Sequence, residues 1–178
     1  MEATSRQGDK PLLTGMFRDR ESTEGAYTSL RNRGYSDEDI NVIMSDETRD
    51  KHYADGDSSL EGNKALEGTG VGSAIGGTLG AIIGGIAAIG TSLVIPGIGL
   101  VVAGPIAAAL AGAGAGGLTG GLVGALVGWG IPEERAQQYE AGIKEGGTVL
   151  GVNPRNDEDA DFFENDWKTN YRGENIYR

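Results

Sequence analysis

The sequence predicts an α+β fold whose sheet-forming flanks are split by a long Gly/Ala-rich helical hairpin. Three observations predict it. Strand-like and helix-like apolar spacings alternate on both flanks of the chain. Between Glu67 and Glu133 lies an uncharged stretch, Gly68 to Pro132, built almost wholly of Gly, Ala, Ile, Leu and Val. Within it glycine recurs with a stride of four. Gly68, Gly72, Gly76, Gly80 and Gly84 form one row, and Gly112, Gly116, Gly120, Gly124 and Gly128 form another.

Taken in order, residues 1–11 read as a disordered polar lead-in. Leu12 to Phe17 is a dense apolar strand. Asp19 to Ser22 supplies helix-start chemistry, and Ala26 and Leu30, four apart, mark a helix to about Arg33. Gly34 and Tyr35 then suit the C′ and C″ positions of its end. Ile40, Val42 and Met44 alternate with Asn41 and Ile43, which is strand periodicity. The resulting strand–helix–strand suits a parallel pair or a split βαβ arrangement. Asp46 to Glu67 reads as a polar connection with a short helix near Gly62 to Glu67. Residues 12–67 thus form the first half of the α+β domain and its connector.

Residues 68–131 form the glycine-zipper hydrophobic hairpin. A glycine costs a helix about 1 kcal/mol against alanine, so a regular row needs a compensating cause. Close helix–helix approach supplies one, because residues four apart share a face and missing side chains let backbones touch. A flexible linker would not carry the intervening Ile, Leu and Val. Two helices follow, about Thr69 to Ile89 and Pro105 to Trp129, each near the ~20 residues that cross a bilayer core. Pro96, Gly97, Gly104 and Pro105 form the hairpin turn. The segment from Gly90 to Gly104 is too apolar for a surface loop and reads as a re-entrant tip, a buried turn or a packed segment.

Residues 132–178 supply the second half. Pro132 with Glu133 and Glu134 opens a helix, with acids at the positive end of its dipole. Ala136, Tyr139 and Ile143 mark its apolar face, and Gly146-Gly147 stops it. Thr148 to Val152 is a third strand and Asn153-Pro154 a turn. A helix over about Asp159 to Thr169 carries Phe163 and Trp167 on one face, and Asn175 to Tyr177 is a short edge strand. Set end to end, the flanks give β-α-β and α-β-α-(β). That order resembles a ferredoxin-like unit, βαβ…βα(β), with the hairpin between its halves.

Three pieces carry a resemblance to a known family. They are GMFRDRESTEGAYTSLRNRGYSDEDINVIMSD, the Gly/Ala stretch with VIPGIGLVVAGPIAAALAG, and GIPEERAQQYEAGIKEGGTVLGV. Together they resemble the bacterial general-stress-protein-like (heat-induced stress protein) family with a glycine-zipper insert. The resemblance implies a stress-associated protein without known catalysis, and it brings no active-site residues.

Net charge is −11, and all of it lies outside the central stretch. Residues 1–67 hold nine basic and fifteen acidic side chains, and residues 133–178 hold six and eleven. Acidic flanks argue against nucleic acid as a partner. With no cysteine, disulfides and thiolate sites are excluded. The start MEATSRQGDK has no apolar core of a secretory signal.

No catalytic, cofactor or metal site is expected. Gly112-x-Gly114-x-x-Gly117 matches a dinucleotide fingerprint only by glycine content, since it lacks the preceding strand and the later acid. His52, the one histidine, sits in a polar connection. Asp157, Asp159 and Asp161 alternate like a calcium loop, but Phe162 and Lys168 occupy its glycine and glutamate positions. Trp129 and Tyr139 suit a membrane interface, and Tyr139 equally the packing of the sheet.

The expected function is therefore non-enzymatic: a protein that associates with the lipid bilayer and with itself through the glycine rows, both flanks cytoplasmic. The alternatives are a cytoplasmic homo-oligomer with a dry helical core, a pore-forming protein, and a ligand-sensing module for an unidentified small molecule.

Overall fold

A computed structural model describes residues 12–52, 91–95, 98–107 and 121–178. They form an α+β fold with one antiparallel sheet and helices on both of its faces. The elements are β1 (Leu13–Phe17), α1 (Arg20–Asn32), β2 (Ile40–Ser45), α2 (Asp46–His52), β3 (Thr91–Ile95), β4 (Ile98–Ala103), α3 (Gly121–Gly128), α4 (Glu133–Lys144), β5 (Thr148–Val152), α5 (Asp157–Thr169) and β6 (Glu174–Tyr177). The strands lie in the order β3-β4-β2-β5-β1-β6, and every neighbouring pair is antiparallel.

β5 is placed centrally. Leu150 pairs with Gly15 of β1 on one side and with Val42 of β2 on the other. β1 and β2 therefore run parallel but apart, with the third strand of the flanks between them. That is the split form of the βαβ expectation, not the adjacent parallel pair. β6 pairs with the opposite side of β1, across a register shift between Thr14 and Met16.

Strand side chains alternate between two cores. Leu13, Phe17, Val42, Met44, Leu150 and Val152 meet α1 and α5 through Ala26, Tyr27, Leu30, Phe163 and Trp167. Met16, Ile43, Leu100, Val102 and Val149 meet α3 and α4 through Leu122, Leu126, Ala136, Tyr139 and Ile143. Both faces are covered, so β1 and β5 are buried at every position. Buried leucines such as Leu30 and Leu126 each contribute about 1.5–3 kcal/mol relative to exposure.

The expected helix ends are present. Asp19 caps α1 by accepting from Ser22 N–H at 2.8 Å. At its other end Gly34 takes φ +84°, Tyr35 N–H reaches Leu30 O and Gly34 N–H reaches Arg31 O, which is a Schellman motif. Gly146, φ +98°, closes α4 in the same way, with Gly147 N–H on Gly142 O. Buried Tyr139 does not face a membrane interface. Its hydroxyl donates to Asn175 O at 2.6 Å and bonds Thr14 Oγ1 at 2.8 Å, and burial pushes its pKa up to about 12.

Four expectations are corrected. The connection after β2 opens with helix α2, whereas the short helix expected near 62–67 lies outside the described residues. The apolar segment after Gly90, expected as a re-entrant tip, a buried turn or a packed segment, is two paired strands, with Ile95 opposite Ile98 and Thr91 opposite Val102. Its β-branched content explains this. The helix expected over 105–129 is not continuous, because α3 starts at Gly121 with φ +63° and ends at Gly128. The last helix begins at Asp157, under an Asn156 cap, and not at Asp159. The first expected hairpin helix, 69–89, lies outside the described residues, as does the lead-in.

Candidate functional site: the anchorage of the glycine-rich stretch

The sequence places the functional residues in the uncharged stretch, and the structure describes how parts of it are fixed to the sheet. Gly68, Gly72, Gly76, Gly80, Gly84, Gly112, Gly116 and Gly120 lie outside the described residues, as do Pro96 and Gly97 between β3 and β4. Gly124 and Gly128 lie on α3, Gly128 exposed. Gly104 and Pro105 follow β4. They do not form one turn with Pro96 and Gly97, because β4 separates the two pairs.

The strongest anchor was missed by sequence reasoning. Asn41, read as the polar position of an alternating strand, is only 2 % exposed. Its side-chain Oδ1 accepts from Ile106 N–H at 2.7 Å, and its Nδ2 donates to Gly151 O at 3.2 Å. One amide therefore ties β2, β5 and the chain beyond β4 together. The available signal was a lone amide inside an apolar run, which when buried must find partners. Just before it Gly104 takes φ +93°, and a Cβ there would stand 2.2 Å from Ile40 O. Only glycine allows the chain to turn so close to β2.

Two further close approaches complete the anchorage. Asp46, the first residue of α2, presses against Gly99 of β4, where an added Cβ would lie 2.0 Å from its Oδ2. On the second face, Trp129 follows α3 and rests on Gly151, where a Cβ would lie 2.6 Å from the indole. The expectation of an interfacial tryptophan is thus replaced by sheet packing. Gly130, φ +99°, ends α3 with Ile131 N–H on Leu126 O, and Leu122, Ala125 and Leu126 are buried. The expectation of a helical hairpin over 68–131 is corrected for β3 and β4, which are strands, whereas α3 is helical as expected. They belong to the same sheet and core as the flanks.

Where α2 ends, a polar cleft of about 370 Å³ opens, lined by Arg18, Ser45, Thr48, Lys51, His52 and Lys144 among others. Its charges are largely matched. Arg18 donates to Glu145 at 2.6 Å and to Glu174 at 3.0 Å, bonds that hold its guanidinium more firmly protonated. Lys144 pairs with Glu140, and Ser45 Oγ bonds Thr48 Oγ1 at 2.9 Å. Through Arg18, which lies between β1 and α1, the arrangement ties the end of α4 to the start of β6.

Asp157, Asp159 and Asp161 do not converge on a cation. Arg178 binds Asp157 at 2.8 Å and Asp161 at 2.5 Å. Asp159 instead accepts from Tyr35 Oη at 2.6 Å and from Arg33 Nε at 2.9 Å. These bonds hold its carboxyl below the usual range, the tyrosine first, while burial pushes Tyr35 up to about 12. The cluster joins the end of α1 to the start of α5. Among the described residues no helix is long and apolar enough to cross a membrane. Compared with protein-family models, curated proteins and solved structures, the chain matches none.

Proposed function

We propose that the chain is a non-enzymatic, stress-associated protein that assembles with copies of itself through its Gly/Ala-rich segments, carried on an acidic ferredoxin-like body. The sheet supports the ferredoxin-like reading: β2-β5-β1-β6 is the strand order of that unit, with α1 and α5 as its two crossovers. β3 and β4 extend it beyond β2. Stress association rests on the family resemblance, and self-assembly on the glycine stride.

One observation carries the reading and shapes its membrane part. β2, β3 and β4 share one sheet, so the chain leaving α2 at His52 must return to the same body at Thr91. A crossing of the bilayer would need a second crossing to come back. The uncharged residues 68–90 are about one crossing long at ~20 residues each, and 108–120 are shorter still. A homo-oligomer that meets the bilayer only at its surface, from one side, fits these lengths better than a spanning hairpin.

The test is fractionation with alkaline carbonate, followed by sizing with and without mild detergent. The expected result is release into the wash, a mass above that of the monomer without detergent, and a lower mass for the double variant Gly76→Leu, Gly120→Leu. Retention in the pellet with a need for detergent would instead establish lipid embedding and overturn the surface reading.

A further inference from the structure

The two edges of the sheet are built differently. β6 is guarded in the ways that keep strands from pairing with strangers. Its register on β1 shifts between Thr14 and Met16, Asn175 takes φ +48°, and Glu174 is tied to Arg18. β3 has none of these. It is five residues, TSLVI, without charge or proline, paired in unbroken register to β4 from Thr91 to Ile95. Among the described residues no strand lies on its outer side. An antiparallel ladder uses both backbone groups of alternate residues, so the remaining N–H and C=O groups of β3 point away from β4.

We propose that β3 pairs with β3 of a second copy about a two-fold axis, joining two sheets into one. This goes beyond the Gly/Ala assembly above and does not depend on it. The occupant is argued from three features. Each copy carries a net charge of −11, but β3 and β4 themselves hold no charged residue, so pairing two such edges sets no like charges directly opposite each other. A two-fold contact presents the same edge from both sides and is therefore self-complementary by construction. The chain just before β3 is a poor competitor for the edge, because Gly80, Gly84, Gly85 and Gly90 would weaken a strand made from it.

The absence of cysteine makes the proposal directly testable. Single cysteines are placed in the full chain at positions 91 to 95 in turn, and at Asn175→Cys in β6 as a control, and the proteins are mildly oxidised. A continuous two-fold sheet puts one residue opposite itself, with Cα atoms about 4.5–5.5 Å apart, inside disulfide range. The expected result is one β3 position that forms covalent dimer several-fold more than its neighbours, with little dimer at Asn175→Cys. Sedimentation of the cysteine-free chain should show a dimer or a multiple of it.

A flat pattern across 91–95, or a monomer with no cross-linking, overturns the proposal. It also covers the case in which the chain's own segment occupies the edge. Repeating the scan on the Gly76→Leu, Gly120→Leu background separates the two interfaces. A peak that survives there supports β3 pairing whatever becomes of the glycine rows, and a peak that vanishes overturns it.

Discussion

Asp159 shows how one carboxylate can join two distant helices and make the fold sensitive to acid. It accepts from Tyr35 and Arg33, while its own N–H donates to Asn156 Oδ1 at 2.7 Å. Its folded pKa lies below the ordinary value, so between the two values the unfolded chain binds more protons than the folded one. The stabilisation is present above the ordinary carboxylate range and is lost as pH falls through the folded value. Asp39, lowered first by Ser36 N–H, acts in the same direction. Asp159→Asn is expected to cost ~2 kcal/mol at neutral pH and to flatten, without abolishing, the acid-side loss of stability. Urea midpoints of both proteins over a pH series check this, and parallel curves would remove Asp159 from the account. The alternating aspartates were legible as a charged helix start. Their partners were not, because Tyr35 and Arg178 come to them only through the fold. The role of Asn41 was not legible for the same reason: alternation places it in a strand, but its partners Ile106 and Gly151 come to it only through the fold.

Elements ended by glycine were readable because the signal is local. Gly34 and Gly146 each follow the C-cap of a helix within one turn of its last apolar stripe residue, Leu30 and Ile143, and both adopt positive φ. β3 and β4 were not readable. An apolar run without polar alternation fits a buried strand or a helix equally, so the segment from Gly90 to Gly104 reads equally as a re-entrant tip, a buried turn or a packed segment. The clustering of Thr91, Val94, Ile95, Ile98, Val101 and Val102 was the signal for strands. The same contrast separates glycines whose added Cβ would clash within one copy from glycines whose Cβ would meet nothing there. Gly104→Ala brings a Cβ against Ile40 O at 2.2 Å and forces φ +93° on alanine, at an expected cost of about 3 kcal/mol or more. At Gly128 a Cβ would meet nothing within 4 Å, and the backbone is helical. There alanine should be neutral or stabilising by up to about 1 kcal/mol. Urea titration of both variants decides it: a lower midpoint for Gly104→Ala beside an unchanged or higher one for Gly128→Ala, at similar slope, is the expected pair.

At the scale of the whole molecule, the chain order and the sheet order are interleaved. β5, from the last third of the chain, separates β1 from β2, and β4, from within the glycine-rich stretch, covers the other side of β2. Each central strand also contributes to both cores, Met16 to one and Phe17 to the other. Neither face can then open while the other stays packed, since unpairing β5 removes the floor of both. The two tryptophans report on this independently, for Trp167 lies in the first core and Trp129 packs on the second face. Trp167 Nε1 has no acceptor among the described residues, so its replacement removes ring packing and no hydrogen bond. In Trp129→Phe the remaining fluorescence follows the first face, and in Trp167→Phe it follows the second. Trp167→Phe should have the lower midpoint of the two because its ring is fully buried. Within each variant, however, the fluorescence and circular-dichroism transitions should coincide, as a single cooperative unit requires. A face that melts before the circular dichroism changes would show that the sheet does not couple the two cores, and that the body carrying the Gly/Ala segments is two units instead of one.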